Sequence, residues 1–326
     1  MNIAKKILTG LVFTLFWLVC AILLFNLFLN FRYYEFYSNS VSVGEVAGIS
    51  DGLVHQGIDY VESESALLTS GYMNDGSASR IYVSRDGETT YTKLLTKDGK
   101  DYTGHSDGIA HYGNYLYVGA EDGIDVFSLA DVLEGKDTTK QIDKVELLFS
   151  AAWICIEDGL LYTGRFAEVG NKSYPPKDEH IIESPVKKGE ANCSVFAVYN
   201  ISNTAEYGIE NKKPLKIYSC VGKVQGACFT EDGELILSTS WGIDSSVFYF
   251  YNINRAKKVH TYLDEDKTPV YFLGTDCLTK TLEGPPMSEE IIVINNRLYI
   301  MNESASKKYI FGNLIGGREL YAYNLK

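Results

Sequence analysis

The sequence has little proline and no acidic residue before Glu35. Only 7 of its 326 residues are proline, whereas 29 are glycine, 24 are tyrosine and 15 are phenylalanine. Disordered and collagen-like chains are excluded, because they are rich in proline and poor in aromatic residues. This composition favours many short β-strands joined by glycine-containing turns, and it argues against a helical bundle.

The chain also lacks an excess of basic residues. It has 30 Lys and Arg against 42 Asp and Glu, a net charge of −12, and every acidic residue lies beyond Arg32. Nucleic acids and anionic lipid headgroups attract basic surfaces. We therefore expect no nucleic-acid partner and no anionic-lipid partner for the part of the chain beyond Arg32.

Cysteines are few, and an odd number of them lies outside the apolar N-terminal segment. These five are Cys155, Cys193, Cys220, Cys228 and Cys277. An odd count excludes complete pairing within the chain. Cys193 and Cys220 end strands of one repeat, so they are the candidate pair if any disulfide forms.

Charged residues are absent from positions 7–31. At 1.5 Å per residue this segment would span roughly 37 Å as a helix, enough to cross a bilayer. A cleaved signal peptide is the alternative, but its apolar part is about 7 to 15 residues long and ends in small residues. The unbroken apolar run instead predicts an uncleaved signal anchor, with the lipid bilayer as the partner of residues 7–31.

The charges beside this segment predict its orientation. Lys5 and Lys6 precede it, whereas Arg32 follows it with Glu35 nearby. Positive charge favours the cytoplasmic side. We expect a single-pass protein of the cell membrane with residues 1–6 in the cytoplasm, a juxtamembrane linker at 32–40 and an extracytoplasmic domain at 41–326.

A pattern of short strands recurs five times beyond residue 53. Each copy has an apolar first strand, a tight turn with pairs such as Asp-Gly or Asn-Asn, a second strand and a third strand. The predicted second strands are 67–70, 116–119, 161–164, 235–238 and 298–301. Fourth strands are predicted at 90–95, 144–149, 215–219 and 258–263. The fifth copy ends at Lys326, and residues 41–47 are expected to supply its missing strand.

Five copies of a four-stranded antiparallel unit resemble a β-propeller with five blades. The resemblance covers residues 41–326 and rests on strand order and turn chemistry, since the sequence has no Trp-Asp dipeptide or kelch signature. The expected fold class is therefore all-β, a five-bladed β-propeller preceded by a single N-terminal transmembrane helix. A propeller fold by itself does not name a function.

The propeller topology sorts polar residues onto one face. Loops that lead into the innermost strands and loops that join second to third strands open together around a central funnel, which defines the funnel face. The candidate ligand-binding residues there are His55, Gln56, Tyr72, His105, Trp153, Arg165, Gln225 and Trp241. Candidate catalytic carboxylates are Asp107, Glu289 and Glu303. Two long segments, 167–192 and 264–284, are expected on this face as binding loops.

Three functions fit this pattern. Binding of a polar small molecule, a glycan or a protein partner at the funnel needs only stacking and hydrogen bonds. The resemblance also implies a surface glycoside hydrolase, in which the three carboxylates act on a sugar stacked on Trp153 and Trp241. A structural scaffold of a cell-surface complex is the third. Both tryptophans could instead pack between blades.

Metal and cofactor signals are weak. His55 and His105 could hold a metal with Asp107, but the short, regularly spaced ligand pairs of a zinc site are missing. We therefore predict no metal ligands, and the sequence names no cofactor.

Overall fold

The chain begins with one long helix. A computed structural model describes residues 3–183, 191–262, 265–309, 312 and 317–326, so residues 1 and 2 of the predicted cytoplasmic tail lie outside it. The first elements are α1 (Ile3–Arg32), α2 (Tyr34–Ser38) and β1 (Ser40–Glu45). From Lys5 to Arg32 the helix is long and apolar enough to cross a membrane, a test that a signal sequence also passes.

The first two blades follow the predicted repeat. Blade one begins with β2 (Leu53–Val61), β3 (Ala66–Met73), β4 (Arg80–Arg85) and β5 (Glu88–Leu95). Blade two begins with β6 (Ile109–Tyr112), β7 (Tyr115–Ala120) and β8 (Gly123–Ser128). After helix α3 (Leu129–Leu133), β9 (Thr138–Lys140) joins blade one beside β5, and β10 (Asp143–Glu146) completes blade two.

Blade three carries additional strands, whereas blades four and five have four strands each. Blade three contains β11 (Trp153–Glu157), β12 (Leu160–Gly164), β15 (Ser194–Asn200) and β16 (Lys216–Cys220), with the two-stranded sheet of β13 (Ile182–Glu183) and β14 (Ala191–Asn192) in its long loop. Blade four begins with β17 (Val224–Phe229), β18 (Leu235–Thr239) and β19 (Ser246–Tyr251). The chain continues through β20 (Lys257–Thr261), β21 (Pro269–Phe272) and β22 (Leu278–Gly284). Blade five has β23 (Ser288–Ile294), β24 (Arg297–Asn302) and β25 (Glu319–Asn324).

The predicted fourth strand of blade four is wrong. Residues 258–263 overlap β20, which pairs with β21 on the outer edge of blade three, and Leu263 lies outside the described residues. The outer strand of blade four is β22. The physical reason is burial: β20 is exposed along its whole length, whereas β22 inserts Leu282 into the core between blades four and five. Most of the segment 264–284 is therefore outer-edge structure and not a funnel loop.

The N-terminal and C-terminal ends of the propeller pair as predicted. β1 runs antiparallel to β25, with Val41 opposite Ala322, and becomes the outer strand of blade five. Blade five thus receives its fourth strand from the start of the domain, which closes the ring and removes an exposed sheet edge.

The predicted linker at 32–40 contains α2, which packs against the propeller. Phe36 of α2 is completely buried and its ring lies 5.5 Å from that of Tyr321. Phe248 of blade four belongs to the same apolar cluster. The segment between α1 and β1 is therefore held against blades four and five.

The core lies between neighbouring blades. Tyr117 and Tyr199 are fully buried in the cluster between blades two and three, and Phe196 and Leu237 are buried between blades three and four. The predicted turns close the hairpins on the opposite face, where Asn295 and Asn296 have φ of 50° and 57°. Such angles suit the tight hairpin for which the Asn-Asn pair was identified.

Candidate functional site

Three predicted carboxylates meet on the funnel face. Glu289 is the second residue of β23, Glu303 directly follows β24, and Asp107 precedes β6. Glu289 is only 3% exposed, and the charges of Glu303 and Asp107 act on it. We call Asp107, Glu289 and Glu303 the carboxylate cluster.

Hydrogen bonds fix Glu303 within the cluster. Gln56 of blade one donates from Nε2 to Glu303 Oε2 at 3.2 Å. Tyr309 donates its hydroxyl to Glu303 Oε1 at 2.7 Å. Residues from two blades therefore hold this carboxyl group at the base of the funnel.

The aromatic and cationic side chains of Tyr72, His105 and Lys308 lie beside the cluster. His105 Nδ1 lies 2.8 Å from Asp107 Oδ1, and the His105 ring stacks on Tyr72 with centroids 4.4 Å apart. Lys308 Nζ lies 4.9 Å from the centre of the Tyr72 ring and donates to its hydroxyl. This arrangement places one ammonium group close enough to act on Glu289 and Glu303.

Burial raises the pKa of two of these acids, Glu289 and Glu303. For Glu289 the pKa lies well above its ordinary value, and the charges of Glu303 and Asp107 raise it further, while Lys308 opposes the shift. Burial also raises the pKa of Glu303, against the hydrogen bond from Tyr309. A raised pKa favours the protonated carboxyl group, whose O–H donates a hydrogen bond and whose carbonyl oxygen accepts one. The cluster can therefore both donate to and accept from a polar molecule.

A further buried acid, Glu290, closes the funnel below the cluster. Its Oε2 accepts the backbone N–H groups of Ile58 at 2.9 Å and Ile109 at 2.8 Å, and its Oε1 accepts that of Ile154 at 3.0 Å. A Cβ at Gly108 would lie 2.2 Å from Glu290 Oε1, so the glycine makes room for the carboxyl group. Glu290 thus ties the innermost strands of blades one, two and three at the axis.

Aromatic side chains line the funnel mouth between blades three and four. The Phe166 ring lies 5.3 Å from that of Tyr174 and 5.2 Å from that of Trp241. Tyr174 belongs to the long loop of blade three, and its ring lies 5.9 Å from that of Trp241 in blade four. That loop therefore packs against the neighbouring loop of blade four. We call Phe166, Tyr174 and Trp241 the aromatic rim.

The architecture is a five-bladed propeller. No protein-family model and no curated protein matches the sequence. Solved structures do match it, among them the PQQ-bound aldose sugar dehydrogenase of Streptomyces coelicolor, with 11% identity, a TM-score of 0.43 and coverage of 86% of this chain and 95% of that one. Regucalcin of Agrobacterium tumefaciens, described as a calcium-binding protein, has 12% identity, a TM-score of 0.44 and coverage of 86% and 93%.

A third similar structure is the glutaminyl cyclase of Myxococcus xanthus. It has 9% identity, a TM-score of 0.46 and coverage of 87% of this chain and 94% of that one. Likenesses at this level concern the propeller architecture alone, because one fold carries many unrelated activities. The site must be interpreted from its own side chains.

The other predicted ligand-binding residues lie apart from the cluster. Trp153 is 1% exposed and packs on Phe196 with ring centroids 5.4 Å apart, so its ring is unavailable for stacking on a sugar. His55 is fully buried and its Nε2 lies 2.7 Å from the carbonyl oxygen of Ala47. It therefore points to a backbone group and not to His105.

Arg165 and Gln225 also form no hydrogen bond with the carboxylate cluster among the residues that the structure describes. Arg165 donates to the carbonyl of Pro175 at 3.0 Å and so holds the long loop of blade three. Gln225 is half-buried at a bulge near the start of β17. Among the described residues, no group of three or more His, Cys, Asp and Glu side chains is arranged to hold a metal ion. Cys193 and Cys220, the candidate disulfide, are both free and buried.

Sequence reasoning missed Lys308, Tyr309 and Glu290. Lys308 and Tyr309 follow β24 in the loop that joins the second and third strands of blade five, a position that topology places on the funnel face. Glu290 occupies the repeat position of Gly57, Gly108 and Gly226. An acid in place of a glycine at the propeller axis is the signal that could have identified it.

A separate cavity of about 570 Å³ opens on the opposite face, beyond Glu290. Its polar lining includes His111 and Asp59, whose Nδ1 and Oδ2 atoms are 2.6 Å apart. The acids Glu62 and Glu231 at its edge are exposed to solvent, unlike Glu289. We place the candidate site in the funnel because, among the residues that the structure describes, buried carboxyl groups lie close to each other there.

Proposed function

We propose that this protein is a membrane-anchored, extracytoplasmic propeller that binds a polar ligand at the carboxylate cluster of its funnel. The observation that carries the proposal is the burial of Glu289 beside two further acids. Burying carboxyl groups together costs free energy unless donors compensate them. A ligand with several hydroxyl or amino groups supplies such donors, which fits a sugar, a glycan or an amine.

The surroundings of the cluster fit the same class of ligand. The ammonium group of Lys308 offers further N–H donors beside the acids, Gln56 and Tyr309 hold Glu303 in place, and Tyr72 with His105 provides a flat aromatic surface. Sugars use both features, since their hydroxyl groups pair with polar side chains and their C–H faces pack on rings.

Thermal unfolding of the detergent-solubilised chain tests this binding. A panel of neutral sugars, amino sugars, glycan fragments and polyamines is added in turn. A ligand at one hundred times its Kd stabilises by about 2.7 kcal/mol, which raises Tm by roughly 5 °C in a domain of this size. We expect Glu289→Gln and Gln56→Ala to remove the shift.

Glu157→Gln is the matched control, because Glu157 lines the cavity on the opposite face. It should retain the ligand-induced shift. A shift that survives Glu289→Gln but disappears in Glu157→Gln would move the site to that cavity. If no compound on the panel shifts Tm, the scaffold alternative gains support over ligand binding.

Glycoside hydrolysis is the second candidate function. It is favoured by the buried pair Glu289 and Glu303, in which burial raises the pKa of both carboxyl groups, because such chemistry needs a protonated acid beside a second carboxyl group. Chromogenic glycosides test it. Asp107→Asn and Glu289→Gln should abolish turnover while leaving the far-ultraviolet circular dichroism unchanged, and turnover that persists in both would exclude these carboxylates as catalysts.

The anchoring part of the proposal rests on α1 and the charges before it. Lys5 and Lys6 favour the cytoplasmic side. Alkaline extraction should leave the chain in the membrane pellet, and protease added outside intact cells should digest the propeller. Release by alkali, or protection from external protease, would contradict the proposed anchoring or orientation respectively.

A further inference from the structure

Apolar side chains project from the funnel face between blades three and four. Ile243 is 84% exposed and Val169 is 71% exposed. They stand beside the aromatic rim, in which Tyr174 and Trp241 are also substantially exposed. Large exposed apolar surfaces on a soluble domain mark interaction sites. We call Val169, Ile243 and the aromatic rim the docking patch.

The two loops of the docking patch are held together as one surface. Lys223 Nζ lies 3.1 Å from Glu168 Oε1 and 3.9 Å from Asp244 Oδ2. These acids directly neighbour Val169 and Ile243 in the sequence. Ring packing between Phe166 and Trp241 joins the same loops, so the exposed apolar side chains belong to one connected surface.

The helix α1 reaches the propeller at the edge of this patch. Ser245 Oγ lies 3.1 Å from the Tyr33 hydroxyl and 3.4 Å from an Arg32 nitrogen. Arg32 also pairs with Glu283 at 3.0 Å. Ser245 follows Ile243 by two residues on the loop from β18 to β19, which is a funnel-face loop. The end of α1 is therefore fixed on the funnel side of blade four.

We infer that the docking patch inserts into the interfacial layer of the bilayer that α1 spans, which turns the funnel toward the membrane. The inference rests on the proposed membrane anchoring. Trp and Tyr favour the membrane interface because they join an apolar ring to a polar group. The lipid involved is neutral or zwitterionic, because Glu168 and Asp244 flank the patch and the chain is acidic overall.

Tryptophan fluorescence of the full chain in phosphatidylcholine vesicles tests the inference. The chain has three tryptophans: Trp17 in α1, the buried Trp153, and Trp241 in the docking patch. The Trp17→Phe variant leaves Trp241 as the exposed reporter above the constant background of Trp153. We expect nitroxide lipids labelled near the headgroup to quench it more than lipids labelled at the bilayer centre.

A second variant tests which side chains insert. Ile243→Asp in the Trp17→Phe background should lose most of the quenching and shift the emission to longer wavelength. Ile142→Asp is the matched control, since Ile142 is another exposed apolar residue but lies on the opposite face of blade two. In the Ile142→Asp variant, the lipids should quench Trp241 to the same extent as in the Trp17→Phe parent. Adding phosphatidylserine should not increase the quenching.

The outcomes separate the two proposals. The Trp241→Phe variant reports on Trp17, and strong quenching by centre-labelled lipids supports the anchor. Quenching of Trp17 without quenching of Trp241 overturns the docking patch and leaves the anchor intact. Lack of quenching at Trp17 overturns both. Equal loss in the Ile142→Asp control would also overturn the assignment to this patch.

Discussion

Replacing Glu290 by alanine should destabilise the propeller at its axis. The carboxyl group accepts the backbone N–H groups of Ile58, Ile109 and Ile154. The Glu290→Ala variant leaves all three donors without a carboxylate partner in the closed centre of the fold. An unsatisfied buried donor costs about 1 to 3 kcal/mol.

The expected magnitude follows from counting these bonds. Three donors without an acceptor cost about 3 to 9 kcal/mol of unfolding free energy. Part of this is offset, because the alanine variant no longer buries a carboxyl group. The Glu290→Gln variant keeps one carbonyl oxygen for Ile58 and Ile109 but turns an NH₂ group toward the N–H of Ile154. Its cost is therefore that of one donor, about 1 to 3 kcal/mol.

Thermal unfolding by circular dichroism at neutral pH measures the difference. At about 2 °C per kcal/mol for a domain of this size, Glu290→Ala should lower Tm by roughly 6 °C or more, and Glu290→Gln by about a third as much. Equal losses in the two variants would refute the bond-counting argument. So would a Glu290→Ala variant that melts with the wild type, because the three N–H bonds would then contribute nothing to stability.

Three further changes test other parts of the structure. Burial raises the pKa of Glu289 in the folded state, so the contribution of Glu289 to stability falls as the pH rises above its unfolded pKa near 4.5. The Tm of the Glu289→Gln variant relative to the wild type should therefore increase between pH 4 and 8. A difference in Tm that stays constant over this range would contradict the raised pKa. Phe36→Ala should cost about 3 to 5 kcal/mol of unfolding free energy, whereas the exposed Tyr34→Ala should not change it, as measured by urea denaturation. Deleting residues 320–326 should abolish cooperative melting, because β1 then loses its partner strand; an unchanged melt would disprove ring closure.

The repeat allowed the fold to be predicted because each blade uses the same local chemistry. The turn at Asn295 and Asn296 and the repeated second strands depend on residues that are close in the sequence, and the fifth copy visibly lacks a strand that residues 41–47 can supply. Their structural counterparts are the hairpin of blade five and the pairing of β1 with β25. Ring closure was also predictable, since a missing outer strand leaves an edge that needs a partner.

The fourth strand of blade four was not predictable from the repeat. The segments of β20 and β22 both follow β19, and both contain Lys and Thr with few apolar residues, so local pattern cannot choose between them. The choice depends on Leu282 and on Phe36 of α2, which pack in one cluster from distant parts of the chain. Such tertiary burial is invisible to a pattern of neighbouring residues.

The candidate site, like the fold, was predictable from the sequence only in part. Asp107, Glu289 and Glu303 could be placed together because topology sends the ends of particular strands to one face. Trp153 could not be assigned, because the same innermost-strand position can point into the funnel or between blades. Only the packing of its ring on Phe196 decides between these two directions.

The position of Glu290 also explains how the cluster above it can be rigid. Gly57, Gly108 and Gly226 hold the corresponding places in other blades, and a Cβ at Gly226 would lie 2.5 Å from the Cα of Glu290. The blades therefore approach the axis closely and are tied there by one carboxyl group. Because Glu289 directly precedes Glu290 on this fixed backbone, its side chain starts from a preset position. A ligand at the cluster would then meet a pre-organised acid, which lowers the ordering cost of binding.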